Sequence, residues 1–302
     1  MVDSSFLYLL YMSYNLVLNS NNAINNSTFQ YQFINGFTIY DEAELCISNI
    51  QIPYSWFNIT ANYNNQFFQI IFPTSIGLQT YSITIPPGFY SVTDVNAYLQ
   101  QYCITNGLYL INASGQYVYY LTFLYNITYY GVQLVTNVVP TSLPSGWSAP
   151  DNWVGFYSTS LCPQLIVTNN NFGIFIGFSP GTYPTINTSN ESILNTFTPL
   201  GSNVNSLVIR CSLVDNQVGI PTDILDTMPV NATFGSNINY QPPALKWIKL
   251  TPCTHQFLTI TFVDQNLNTL YAQDPNVTIS LLLNNKGKEV KEKVIPKLNI
   301  LV

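Results

Sequence analysis

The chain has 302 residues, 7% of them charged, and a formal net charge of -6, where a typical soluble domain carries about 25% charged residues. Residues 1–245 hold one cation, Arg210, among ten carboxylates, and residues 246–302 hold seven lysines and four acids. The large apolar and aromatic content excludes an intrinsically disordered chain, the cation-poor body argues against binding duplex nucleic acid, and no uninterrupted apolar run approaches the ~18 residues of a membrane-spanning helix.

In chain order, residues 1–18 are apolar and aromatic, but Asp3 replaces the basic start of a secretory signal. They read as an arm or short helix that docks on a neighbouring subunit or the underside of the fold, with the polar stretch 19–28 as a linker. Short β-branched and aromatic runs bounded by Gly, Pro or Asn then predict strands at 39–50, 67–72, 81–85, 118–124, 131–135, 164–168, 208–213, 233–238, 245–250, 257–263 and 277–283. Residues 81–85 alternate cleanly, with the odd positions facing the core. A helix is expected after Pro86-Pro87-Gly88, capped by Ser91 or Thr93, with Asp94 in its first turn and Val95, Leu99 and Tyr102 on one face. Weaker helical patterns lie at 188–196, burying Ile193, Leu194 and Phe197, and at 224–228, stopped by Pro229. The fold class is therefore all-β: a single jelly-roll β-sandwich with elaborated loops or an inserted β-rich region. Its parts are an N-terminal arm and linker (1–28), a body (29–285) with an insertion at 103–205, and a lysine-bearing tail (286–302). One elaborated domain and a two-domain chain are both compatible with this pattern.

The polar positions are filled by Thr, Ser, Gln, Tyr and 36 asparagines rather than by charges. Amides and hydroxyls cost less to bury than charges when they find partners, which suits a subunit enclosed by other protein. A/T-rich coding would also enrich Asn, Ile, Tyr and Phe, but it would enrich Lys too, and the body lacks Lys.

Catalytic signatures are sparse. The one histidine, His255, begins a predicted strand and reads as structural; no zinc spacing, phosphate loop, dinucleotide fingerprint or nucleophile elbow occurs. The five cysteines are odd in number and widely spaced, which reads as buried thiols, with one internal disulfide as the alternative. No enzyme activity, cofactor or metal is expected. Asp215, Asp223 and Asp226 are close in sequence, with Asp223 and Asp226 sharing a face if helical, and read as capping acids. Asp264 should bond its own turn. Asp41, Glu42 and Glu44 form the densest acidic cluster, suited to a solvated edge, a cation or a neighbour's lysines. Arg210 suits a bidentate carboxylate pair in the core or between subunits. Lys286, Lys288, Lys291, Lys293 and Lys297 make the tail a candidate contact for an acidic surface. Trp147 and Trp153 read as anchors of a long ordered loop. With Phe156 and Tyr157 they would be the platforms of a carbohydrate- or receptor-binding module, the alternative function; a glycoside hydrolase would need two facing carboxylates.

Five segments in order carry a resemblance: the strand exit Ile50-Gln51-Ile52-Pro53-Tyr54-Ser55-Trp56-Phe57-Asn58-Ile59; Ile83-Thr84-Ile85-Pro86-Pro87-Gly88-Phe89-Tyr90; Phe172-Gly173-Ile174-Phe175-Ile176-Gly177-Phe178-Ser179-Pro180-Gly181-Thr182-Tyr183-Pro184; Asn205-Ser206-Leu207-Val208-Ile209-Arg210-Cys211; and Thr259-Ile260-Thr261-Phe262-Val263-Asp264-Gln265-Asn266. Across residues 29–285 the set resembles the penton, or minor capsid, proteins of virophages and polinton-like viruses, and is most similar to the Mavirus type. The resemblance implies a vertical single jelly roll whose homopentamer closes each icosahedral vertex of a double-stranded DNA virus or virophage. Its neighbours would be capsomers of a major capsid protein, and the outer surface would be open to a host receptor or fibre. It implies location at virion vertices after assembly in the cytoplasm of the infected host cell. Genome contact would be confined to the C-terminal tail, with no membrane span and no catalytic residue carried over.

Overall fold

The computed structural model describes residues 11–286. The chain forms two compact units, one built from the stretches up to Trp56 and from Val204, the other from Phe57–Asn203. In chain order the first unit begins with β1 (Tyr11–Leu18), β2 (Ala23–Asn25), β3 (Thr28–Thr38) and β4 (Glu44–Pro53). The second unit contributes β5 (Phe67–Thr74), β6 (Gly77–Thr84), α1 (Val92–Thr105), β7 (Tyr109–Ile111), β8 (Tyr117–Tyr119), β9 (Leu121–Asn126) and β10 (Gly131–Thr136). It continues with β11 (Gln164–Val167), α2 (Phe172–Ile176), β12 (Gly181–Tyr183) and β13 (Glu191–Leu194). The chain then returns to the first unit as β14 (Ser206–Cys211), β15 (Ile224–Pro229), β16 (Asn237–Tyr240), β17 (Ile248–Lys249), β18 (Thr254–Asp264) and β19 (Thr278–Lys286).

The first unit is a jelly-roll-like sandwich. One antiparallel sheet runs β1-β19-β4-β16, with β17 also on β4; the other runs β15-β14-β18-β3-β2. Setting aside the short β2 and β17, eight strands remain. In chain order the first, eighth, third and sixth form one sheet, and the second, seventh, fourth and fifth form the other, which is the double Greek-key wrap of a jelly roll. The inner faces follow the two-residue period: Leu258, Ile260 and Phe262 on β18 are buried, with the half-buried Thr259 and Thr261 between them. Along β4 the buried positions change parity, from Leu45 and Ile47 to Ile50 and Ile52. The register against β19 slips at this point, leaving Ser48 as the extra residue, and its hydroxyl donates to the Ser280 carbonyl at 3.1 Å. The bulge keeps both halves of β4 facing the core, where an unbroken strand would turn one half outward.

Residues 57–203 lie between β4 and β14, the third and fourth strands of the roll. This unit contains a four-stranded sheet β12-β11-β5-β6, a three-stranded sheet β13-β10-β9 and the hairpin β7-β8. It has its own core, in which Phe68 stacks on Phe172 at 4.5 Å and Phe123 meets both edge-on. Helix α1 forms as its sequence dictates. Ser91 caps it, Asp94 reaches back to the Ser91 backbone N–H, and Val95, Leu99 and Cys103 make the buried stripe. Tyr102, expected on that stripe, is half-buried and donates to the Ser82 carbonyl at 3.3 Å. The tight packing around α2 requires glycine: a Cβ on Gly173 would sit 2.5 Å from the Phe178 carbonyl oxygen. Gly177 ends the helix with φ 78°.

Several expectations are corrected. Residues 11–18, expected as a docking arm or short helix, are an edge strand paired along its length with β19, and the stretch expected as a linker forms a 3-10 turn, β2 and the entry to β3. Residues 39–43 form the turn before β4 instead of strand. The helix read at 188–196 is strand β13, paired with Gln133–Thr136 of β10; Asn190 and Asn195 accept from the backbone N–H groups of Val138 and Val132, and Leu194 and Phe197 are exposed. The helix read at 224–228 is strand β15, because β14 is available to pair with it; a bulge there buries both Leu225 and Asp226. The strand read at 233–238 is largely a turn leading into β16. The strands expected at 67–72 and 81–85, and the helix after them, belong to the 57–203 unit together with almost all of the segment 103–205.

Candidate interaction surfaces

Arg210 lies on β14 opposite the β15 bulge, and its guanidinium grips Asp223 of the same chain: Nε donates to both carboxylate oxygens at 3.0 Å and Nη2 lies 2.8 Å from Oδ2. Both side chains are about one-third exposed, so solvent screening limits the pair to about 0.5–1 kcal/mol despite its fork geometry. Asp226 faces a different set. Its side chain is 6% exposed and accepts from the Tyr240 hydroxyl and the Lys246 ammonium, both at 2.7 Å. Burial first, and then the Asp226 carboxylate, push the Tyr240 phenol well above its ordinary value. Asp223 and Asp226 are thus separately paired and do not face one groove. Asp264 accepts from the backbone N–H groups of Asn266 and Asn268, as its turn demands.

The acidic cluster is spread around the β3–β4 turn. Glu42 is exposed, with Lys249 3.8 Å away, and Glu44 stands opposite Lys249 in the β4–β17 register. Asp41 is exposed in the same turn. Lys286 ends β19, and the tail residues Lys288, Lys291, Lys293 and Lys297 lie outside the described residues. Among the described residues no group of three or more His, Cys, Asp or Glu side chains is placed to hold a metal ion. His255 Nε2 donates to the Thr251 carbonyl at 3.0 Å. All five cysteines are free thiols, four buried and Cys253 exposed.

Two apolar features were not foreseen. On the first unit, the β14–β15 connection presents Val218 and Ile220, 95% and 93% exposed, and the β3 bulge presents Ile34. On the second unit a cleft of about 330 Å³ is lined by Phe89, Tyr90, Tyr125, Tyr130 and Phe175, with the hydroxyl-bearing start of α1 at its side. Trp147 and Trp153 do not line this cleft. They are half-buried against the core, Trp153 edge-on to Phe72 at 6.2 Å. The run Tyr125-Asn126-Ile127-Thr128-Tyr129-Tyr130 was the signal available for the cleft: a hairpin tip loaded with rings that a core cannot absorb.

No protein-family model and no curated protein matches the chain. Among solved structures it is similar to the mavirus penton protein, at 11% identity and a TM-score of 0.43 over 92% of this chain and 100% of that one. It is also similar to a chain in the cryo-EM structure of the Sputnik virophage, at 13% identity and a TM-score of 0.34 over 91% and 98%. Both likenesses are distant, and the functional reading rests on the chain's own topology, composition and motifs.

Proposed function

We propose that the chain is a structural capsid protein forming the pentameric vertex capsomer of an icosahedral double-stranded DNA virus or virophage. The observation that carries the reading is the eight-strand order of the first unit, a single jelly roll interrupted between its third and fourth strands. Capsid proteins, lectins and cupins share this architecture, and the surface favours the first. A cyclic pentamer joins two different faces of each subunit in a ring that closes. Such faces are served by neutral amides, aromatic residues and exposed apolar tips such as Val218 and Ile220. Arg210, Asp41, Glu42, Glu44 and the lysines from Lys286 onward are the charged candidates for contacts with sister subunits and major-capsid-protein capsomers. The anionic body would repel an enclosed genome, which leaves the tail as the one candidate for such contact.

Mass photometry of the chain, alone and co-expressed with its major capsid protein, tests the stoichiometry. The expected species is a ring of about 170 kDa, five times the 34.0 kDa chain. A monomer under both conditions, or a ring of another size, would overturn the pentamer.

A further inference from the structure

We infer that the cleft between the start of α1 and the β9–β10 hairpin of the 57–203 unit is a binding site for a neutral saccharide. The inference concerns this unit alone and does not depend on the vertex reading.

Three observations carry it. The first is charge. Residues 57–203 contain no Lys, Arg or His and three carboxylates, Asp94, Asp151 and Glu191. Phosphate, sulfate, sialic acid and nucleic acid would meet no cation anywhere on this unit. The helix start is also closed to anions, because Asp94 already takes the Ser91 N–H and hydroxyl at 2.8 and 2.6 Å. The second is the chemistry of the walls. Aromatic rings offer apolar faces to the C–H face of a pyranose, while the hydroxyls of Thr93, Tyr125 and Tyr130 offer donors and acceptors to its hydroxyl groups. The volume is at the small end of the range for small-molecule sites, which suits one or two sugar rings.

The third is that the walls are held open at a conformational cost. On one side Asn58 accepts the Tyr90 N–H and donates to the Tyr90 carbonyl, both at 2.8 Å, which fixes the backbone beside Phe89. On the other, Tyr130 has φ 47° and ψ 51°, a left-handed conformation unfavourable for a bulky side chain. A one-turn 3-10 helix capped by Asn126 holds it there, and the residue remains 67% exposed on the rim. Tyr125 is 48% exposed beside it. A strained aromatic residue kept at a surface, where glycine would relieve the strain, is accounted for by a contact its ring makes with something else. Pre-ordered rings also lose little entropy when a ligand binds.

Saturation-transfer NMR on the full chain tests this with methyl glucoside, methyl galactoside, methyl mannoside and N-acetylglucosamine, beside sialyllactose and a sulfated heparin disaccharide. At least one neutral sugar should receive transfer at its ring C–H protons, and the two anionic probes should bind more weakly. Tyr125→Ala and Tyr130→Gly should each weaken binding at least tenfold. Tyr117→Ala, on an exposed ring outside the cleft, should leave it unchanged. Tyr130→Gly also separates binding from folding: glycine accepts the left-handed backbone, so its melting temperature should match or exceed that of the parent chain. Four results would each overturn the proposal: no transfer to any neutral sugar, preference for the anionic probes, binding that survives Tyr130→Gly, or occlusion of the cleft by a second copy of the chain.

Discussion

Cys46, Cys103, Cys162 and Cys211 are buried in two different units, and burial is the leading cause that raises each thiol. Cys46 is pushed up to about 11, and Cys103 and Cys211 to about 12. A raised value leaves almost no thiolate near neutrality, and the thiolate is the reactive form. Cys253 alone is exposed. A thiol reagent at pH 8 should therefore label one cysteine per native chain, located at Cys253 by peptide mass, and five after unfolding. Rapid labelling of Cys211 in the native protein would contradict the packing described for β14. Asp94 makes the complementary case. The Ser91 hydroxyl, and then the Ser91 N–H, hold its carboxyl below the usual carboxylate range. The charged form therefore stabilises the folded state above the ordinary Asp value near pH 4, and the contribution is lost as the pH falls through the lower folded value. Asp94→Asn should cost about 0.5–1 kcal/mol at pH 7, toward the lower end because the site is exposed, and the difference should narrow below pH 4 in denaturant titrations.

At the scale of elements, the capped helix was legible because Ser91, Asp94, Val95 and Leu99 encode its start and its face locally. The strands of the roll were legible for the same reason, from β-branched alternation bounded by turn residues. What failed was non-local. Residues 224–228 have a helical arrangement of apolar side chains, yet β14 offers a ladder of hydrogen bonds that no local pattern reports. The segment 188–196 is strand because β10 lies open to it and asparagine side chains bond the flanking backbone. The parity change along β4 likewise needs the β19 register to be understood. Arg210 was legible as half of a bidentate pair, but its partner Asp223 emerges only once β15 is a strand. Asn58 stands in the strand-exit segment 50–59, where no local pattern signals its role. It is buried, and besides Tyr90 it bonds the Gly201 carbonyl at 2.8 Å, while its own carbonyl accepts from Asn203 at 3.3 Å. The two ends of the 57–203 unit are thus joined by one amide. Asn58→Ala should cost about 2–4 kcal/mol, since it leaves the Tyr90 backbone without its partner. Residues 57–203 expressed alone, with Asn58 intact, should melt in a single cooperative transition by circular dichroism; a broad, non-cooperative melt would contradict a self-contained core.

For the whole molecule, two features of the sequence converge. The near-absence of charge leaves a body whose polar surface is amide and hydroxyl, and the strand order makes one unit a jelly roll with the other set into a single connection. In the proposed capsid reading, the first would suit burial between neighbours and the second would supply the wall. The boundary of the inserted unit was hidden because no linker composition marks it: 67–72 and 81–85 alternate as strands of the roll would, and only the three-dimensional partition separates them. The lysine-bearing tail supplies the opposite charge in a short stretch, suited to an acidic neighbour. The central claim is a place in a shell, so the most direct measurement is the location of this chain in assembled particles, by cryo-EM reconstruction of particles carrying a tagged copy. Density for the chain at the twelve fivefold vertices alone is the predicted result; the same density at every capsomer, or no density in the shell, would contradict it.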